Sequence, residues 1–344
     1  MIQGRNLFAR AFVRMAAYAL LLFLTLIALL SRRRFIIIAS PFGNLGNRLF
    51  LFANVIAFAR QNRAIVINPA FHPWRHVFAG TRPGPLPVYP PLALGYDSNN
   101  LIEQSVQRLA WVGASIAKSP LSLNGWDSIS IDGMERVDLD KADFVAWFQK
   151  KTVLVISGYQ YIAESSMRRH ADIIRQYFKQ ISGSDASAIA PVMRLRQHCD
   201  LVVAVVIRHG GFDQWMGGKY FFDLPTYTRW IDQLVQLFSH RRVGFFICSD
   251  AELDLSSLRH VRYEFRSKSD LENRAALSIC DMIISPPSSY SGWAAFMGKV
   301  PFQLLHSPDQ KLGEDGFVMI HNHMDLRDDV FPPDISRTAT VIDD

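Results

Sequence analysis

Cysteine is scarce in this chain. Cys199, Cys248 and Cys280 are the only three among 344 residues, and no Cys-x-x-Cys pair occurs. An odd number without that spacing excludes a disulfide framework and a structural zinc site, and it fits a reducing compartment. Charge is also sparse, at 20% of residues against 49% hydrophobic, which excludes a disordered chain. No Gly-x-Ser-x-Gly elbow or Cys/His nucleophile signature is present, so the common hydrolase motifs give no lead. The first 34 residues contain neither lysine nor any acid.

Those 34 residues nevertheless carry Arg5, Arg10, Arg14, Arg32, Arg33 and Arg34, six of the 37 basic residues. Removing them leaves 31 basic against 31 acidic, so the net charge of +6 belongs to this one segment. A nucleic-acid partner is therefore not expected, since that needs basic charge clustered on the folded domain. The arginines bracket Met15 to Ser31, 17 uncharged residues (MAAYALLLFLTLIALLS). As a helix the stretch would span roughly 25 Å, the short limit for a bilayer, with flanking arginines snorkelling to the headgroups. A cleaved signal peptide lacks its small-x-small site here, and a buried core helix would rarely lack any polar stripe. The segment 1–34 reads as a membrane anchor, spanning or interfacial. Three arginines on each side leave its orientation open. With no stem before Phe35 and no paired cysteines, the expected location of the globular part is the cytoplasmic membrane surface.

From Phe35 onward, short apolar runs alternate with helical patterns, the signature of parallel α/β units. Expected strands are 35–39, 64–68, 152–156, 201–207, 243–248, 261–265 and 281–285; expected helices lie near 47–60, 100–118, 165–180, 225–238, from 270, and after 288. Pro83, Pro85, Pro87, Pro90 and Pro91 mark an extended loop. The Ser/Ala/Gly-rich stretch 181–190 is the candidate junction between an N-terminal α/β domain, 35–190, and a C-terminal one, 191–344. The fold expected is two Rossmann-like parallel-sheet domains with a ligand cleft between them, where loops leave the carboxyl ends of strands.

Four loops carry polar chemistry. Gly43-Asn44-Leu45-Gly46-Asn47-Arg48 precedes a helix and suits close backbone approach to an anion, or a plain tight turn. Arg208, His209 and Gly210 follow the most apolar strand. An arginine there needs an anion, either a phosphate or a carboxylate such as Asp213, Asp223 or Asp250. Asp250 follows Ser249 after another strand, and reads as a ligand-binding acid, a partner of Arg208 or a helix cap. Ser288, Ser289 and Ser291 open a helix, where hydroxyls and free N–H groups form a phosphate pocket or a simple cap. Asp138 and Asp140 make an Asp-x-Asp pair outside any apolar strand, so no metal site is expected. His321 and His323 lie in a polar tail and are expected to be solvated.

As a set, these segments resemble the α-1,2-fucosyltransferase family within the GDP-fucose-dependent GT-B glycosyltransferases. GNLGNRLFLFANVIAFA is similar to that family's GLGNQMFQYAFA opening, ISGYQY to GYWQS, VVAVVIRHGGF to HVRRGDY, and FFICSDAE to FxFSDD. DLENRAALSICDMIISPPSSYSGWAA resembles DLxLMxxCxHxIIxNSSFSWWAA. The resemblance covers about 35–302, with 69–145 unmatched. It implies an inverting, metal-independent transferase without cofactor, taking a GDP-sugar, GDP-fucose, as donor and a glycan or lipid-linked saccharide hydroxyl as acceptor. It implies that Arg208 offsets charge on the leaving diphosphate and is the catalytic residue, with His209, Gly210, Asp250, Ser288, Ser289 and Ser291 at the donor. Gly43, Asn44, Gly46, Asn47 and Arg48 would face the cleft from the acceptor side. The chain departs from the pattern at Val206, His209, Gly210-Gly211, Pro287 and Gly292, where the family has His, Arg, Gly-Asp, Asn and Trp. Another nucleotide sugar, or a membrane-tethered module that binds without turnover, are the alternative readings.

Overall fold

Phe35-Ile36-Ile37-Ile38 is buried on both faces, which places strand β1 (Arg34–Ile38) inside a parallel sheet. The computed structural model describes residues 32–82, 84, 86–91, 126–131, 135–184, 186–267 and 270–326. The apolar stretch 15–31 and the helix expected over 100–118 lie outside them. Among the described residues no helix is long and apolar enough to cross a membrane. The chain forms two compact units, divided between Ile181 and Ser182.

In the first unit, β1 leads into helix α1 (Leu45–Gln61), whose residues Leu49 to Ala59 are buried without a break. A helix apolar on every side must be enclosed by its neighbours. Strand β2 (Ala64–Ile67) pairs parallel with β1, and 3-10 turns over Pro69–Val77 lead to β3 (Val88–Tyr89), antiparallel to β2. Then follow β4 (Trp126–Ser130), β5 (Val137–Asp138), α2 (Ala142–Phe148) and β6 (Val153–Ser157). The sheet order is β3-β2-β1-β6-β4. Strand β7 (Tyr161–Ile162) pairs with β5 beside it.

The single helix expected over 165–180 is two helices, α3 (Glu164–Arg169) and α4 (Ala171–Tyr177). His170 leaves the helical region (φ −111°, ψ 17°), and its Nε2 lies 3.2 Å from Gln61 Oε1 at the end of α1. The break lets both short helices pack on α1. Asn54 ties them there: its Nδ2 donates to the Phe50 carbonyl and its Oδ1 accepts from the Ala163 N–H, both at 2.8 Å. Asn54 is fully buried, so Asn54→Ala orphans the Ala163 N–H. The expected loss is about 2–3 kcal/mol, read from urea unfolding.

The second unit opens with helix α5 (Ala186–Arg196). The boundary between the units falls at the start of the junction expected over 181–190, and 186–190 are helical because three alanines there favour helix. Strand β8 (Leu201–Ile207) is buried throughout. Helix α6 (Leu224–Leu237) starts at Asp223, whose carboxylate accepts from the Thr226 N–H at 3.0 Å. Strand β9 (Val243–Ser249), β10 (Arg262–Ser267), α7 (Asp270–Leu277), β11 (Met282–Ser285), α8 (Ser289–Gly298) and β12 (Phe302–Leu304) complete the unit. All five strands are parallel, in the order β10-β9-β8-β11-β12. Trp230, Tyr227, Ile231 and Leu234 of α6 pack on Val203, Val205, Phe245 and Ile247 of the sheet. The strand order reverses at β8/β11, and ligands of such sheets bind outside the carboxyl ends of the strands beside that reversal. His323, expected in solvent, is 5% exposed within a 3-10 turn over His323–Leu326. The Asp325 carboxylate accepts from the N–H groups of His321 and Asn322 and folds the tail inward.

Candidate functional site

In the first unit, Gly43 takes a left-handed φ of 58°, and a Cβ there would collide with the Asn47 amide. The turn carries Asn44 to the start of α1, where its side chain makes no cap. Gly46 is buried in the first turn of α1 and Asn47 is half-buried. Arg48 is committed inside the unit: Nε donates to the Gly43 carbonyl at 3.0 Å and Nη1 to the Ala70 carbonyl at 3.2 Å. Its guanidinium lies 4.6 Å from the Trp74 ring centroid. Phe42 stacks flat on Tyr159 at 5.1 Å, joining the loops after β1 and β6. Arg48 therefore braces this loop, and the freely exposed groups are Gly43 and Asn44.

In the second unit, the loops after β8 and β9 are bolted together by one carboxylate. Asp250 Oδ1 accepts from the His209 N–H at 2.9 Å and the Gly210 N–H at 3.0 Å, and Oδ2 lies 3.1 Å from Arg208 Nε. A Cβ on Gly210 would reach 3.0 Å from Asp250 Oδ2, so a larger residue there requires the carboxylate to give by a few tenths of an ångström. The Arg208 Nε is buried and not aligned for a hydrogen bond despite that distance. The pair is electrostatic, and both side chains remain about a quarter exposed, 22% and 25%. The Arg208 guanidinium also rests 5.1 Å from the Phe212 ring centroid. His209 turns away: its Nε2 donates to the Phe222 carbonyl at 2.8 Å, and its ring packs on Phe221.

The serines at α8 divide. Ser288 is the N-cap residue, with extended backbone and no side-chain cap bond. Ser289 is partly exposed. Ser291 is fully buried, its Oγ 2.7 Å from Ser285 Oγ and donating to the Ser288 carbonyl at 3.2 Å. This corrects the expectation that all three face a ligand. Ser291 fastens α8 to the end of β11, because a hydroxyl on the inner face of a helix must find its partners inside.

Arg208, Ser249 and Asp250 share a solvent-open hollow of about 390 Å³ with Asp270, Asn273 and Tyr290. Helices α7 and α8 both begin here; the first-turn N–H groups of α8 add positive potential, whereas the first turn of α7 carries Asp270 and Glu272. Asp270, Asn273 and Tyr290 were not singled out in sequence. Each lies within DLENRAAL or SSYSGW; Asn273 is buried, Tyr290 half-buried and Asp270 exposed, and no pattern in the sequence marks them together. Cys248 lies beneath, its thiol pushed up to about 12 by burial, which makes it a poor nucleophile. The Asp-x-Asp pair is spent locally: Asp140 accepts from the Ser166 N–H and Oγ at 2.9 and 2.6 Å, and Asp138 accepts from the Asp140 N–H. Among the described residues no cluster of three or more His, Cys, Asp or Glu is placed to hold a metal ion.

No protein-family model matches the chain, and neither does any curated protein sequence. Solved structures do. A point mutant of Arabidopsis thaliana FUT1 in complex with GDP aligns over 84% of this chain and 74% of its own, at 11% identity and a TM-score of 0.53. POFUT1 in complex with GDP-fucose (80% and 96%, 11% identity, TM-score 0.46) and the fucosyltransferase NodZ from Bradyrhizobium (79% and 96%, 15% identity, TM-score 0.45) also align. At such identities the likeness to FUT1 shows the fold: a mixed α/β, GT-B-like glycosyltransferase fold of the kind fucosyltransferases carry.

Proposed function

We propose that the chain is an inverting glycosyltransferase that takes GDP-fucose and transfers fucose to a hydroxyl of a glycan or lipid-linked saccharide, in the manner of the α-1,2-fucosyltransferases. One observation carries this reading. Arg208, at the carboxyl end of β8, is held by Asp250 in a hollow that two helix N-termini also face. That arrangement sets one guanidinium and the α8 N-terminus, beside the Asp250 and Asp270 carboxylates, where a diphosphate leaving group develops charge, and preorganised charge at that place is a principal source of rate acceleration. The FUT1 structure of the same fold was solved with GDP, which supports the nucleotide. The reaction would be displacement at the anomeric carbon through an oxocarbenium-like transition state. Arg208 and the α8 N-terminus stabilise departing GDP, without metal or cofactor. The apolar stretch 15–31 supports an acceptor presented at a membrane surface, with the catalytic units on its cytoplasmic side.

The test is turnover of a donor panel. Full-length protein is mixed with GDP-fucose, other GDP-sugars and UDP-sugars, and released nucleotide is measured. Release from GDP-fucose above the other donors is expected; equal or greater release from a UDP-sugar would sink the donor assignment. A second reading, binding without turnover, is favoured by Gly211, which takes φ 77°, with nothing within 4 Å of where a Cβ would stand, at the position where the resembled motif carries an acid. GDP binding with no donor turned over would establish it.

A further inference from the structure

Tyr290 stands where the resembled serine stretch has phenylalanine, so its hydroxyl is this chain's own. It is the second residue of α8 and lines the hollow beside Arg208. The hydroxyl is accessible to solvent and donates to the main-chain oxygen of Asp270 at 3.3 Å, long for an O–H donor. That weak bond leaves the hydroxyl free to exchange its acceptor for one on a ligand. Ser288 contributes no side-chain cap, and the first turn of α8 contains no acid, so its N–H groups remain available to an anion at the same place.

Against the Tyr290 ring lies a second arginine. Arg274 of α7 is 3% exposed, with its Cζ 5.3 Å from the ring centroid. Its Nε and Nη1 are buried and have no acceptor. Withdrawing a guanidinium from water is unfavourable, and burial lowers its pKa, against which Tyr290 and the Asp270 carboxylate act. The compensation in the structure is the face of the tyrosine ring, a cation–π contact that strengthens when desolvated. Burial, with Cys248 and Asp270 nearby, holds the Tyr290 pKa well above the usual phenol value, against the opposing pull of Arg274 and Arg208. The phenol thus stays protonated, with one guanidinium in the hollow and one behind the ring, and is held as a hydrogen-bond donor to a negative acceptor.

We propose that the Tyr290 hydroxyl donates a hydrogen bond to the diphosphate bound by Arg208, and that Arg274 is a positioning residue that fixes the Tyr290 ring. The identity of the ligand rests on the nucleotide-sugar reading; that an anion binds here rests on Arg208 and the α8 terminus.

The experiment is equilibrium binding of GDP, inorganic pyrophosphate and guanosine to full-length protein by calorimetry. The variants are Tyr290→Phe, Arg274→Met, Arg274→Lys and the Tyr290→Phe/Arg274→Met double. Tyr290→Phe removes one oxygen and keeps the ring, so the fold is retained. It should weaken GDP and pyrophosphate about tenfold, the range for one hydrogen bond to a charged group, and leave guanosine within about twofold. Arg274→Met should give a similar loss that Arg274→Lys partly rescues. In the Tyr290→Phe background Arg274→Met should add less than about twofold, because the arginine acts through the hydroxyl. GDP affinity unchanged by Tyr290→Phe, or an Arg274→Met loss undiminished in the double variant, overturns this proposal alone. Pyrophosphate binding without GDP binding, with the same variant losses, upholds it and overturns the nucleotide reading. Wild-type protein that binds neither overturns both.

Discussion

Arg208→Ala lowers kcat/KM for GDP-fucose turnover by roughly 10²–10³, the range for removing one preorganised charge donor from a transition state. Two effects act together. The diphosphate loses its cation at the carboxyl end of β8, and the Asp250 carboxylate, 3.1 Å from Arg208 Nε in the native site, is left as an uncompensated negative charge in the same hollow. Negative charge on the leaving group grows along the reaction, so kcat falls more than KM rises. Arg208→Lys recovers only part of the loss. Lysine offers a point charge, whereas the guanidinium fork lies over Phe212 and keeps one nitrogen toward Asp250 while presenting others to a ligand. Steady-state kinetics on the three proteins decide the matter, and wild-type values in Arg208→Ala would remove the phosphate role. Folding stability should change little, since the side chain is 22% exposed and its partner similarly open.

Much of the second sheet was legible because its strands advertise themselves. LVVAVVI and GFFIC are apolar without alternation, as strands buried on both faces must be. β4 was not legible: Trp126-Asp127-Ser128-Ile129-Ser130 is an edge strand, half-exposed and polar, and its pairing with β6 is decided by tertiary contact. The helix over 165–180 carried one continuous pattern, yet His170 breaks it because packing on α1 suits two short segments better than one. In the site, Arg208 and Asp250 were readable as residues needing partners. That each partly satisfies the other, and that Asp250 also collects two main-chain N–H groups, depends on parallel pairing of β8 with β9, which brings Ile207 opposite Ser249. Ser291 and Arg48 show the converse. Their types suit a ligand, but the fold spends them on Ser285 and on two carbonyls. Arg274 was hidden within the polar-looking DLENRAAL helix, because residue type alone does not reveal burial without an acceptor.

Asp250→Ala should damage both stability and turnover, and the paired variant Asp250→Asn separates the two. Alanine removes the acceptor of the His209 and Gly210 N–H groups and the partner of Arg208 at once. Two main-chain donors in a part-buried loop then depend on water, at about 1 kcal/mol or more each. The lost ion pair adds less than a fully buried one, because both members are about a quarter exposed to screening solvent. A loss of about 2–4 kcal/mol in urea unfolding is expected, together with a fall in kcat/KM of at least about 10², since the loop carrying Arg208 is no longer held. Asparagine keeps an Oδ1 acceptor for both N–H groups but turns an N–H₂ toward Arg208. Its stability loss should be only about 1 kcal/mol, while turnover falls nearly as far as in the alanine variant, because the guanidinium has lost the charge that orients it. A urea midpoint for Asp250→Ala equal to wild type would show that the loop needs no clamp. Full activity in Asp250→Asn would show that Arg208 is oriented by something other than the carboxylate's charge, and the remaining contact that could do so is the Phe212 ring, 5.1 Å from its guanidinium carbon.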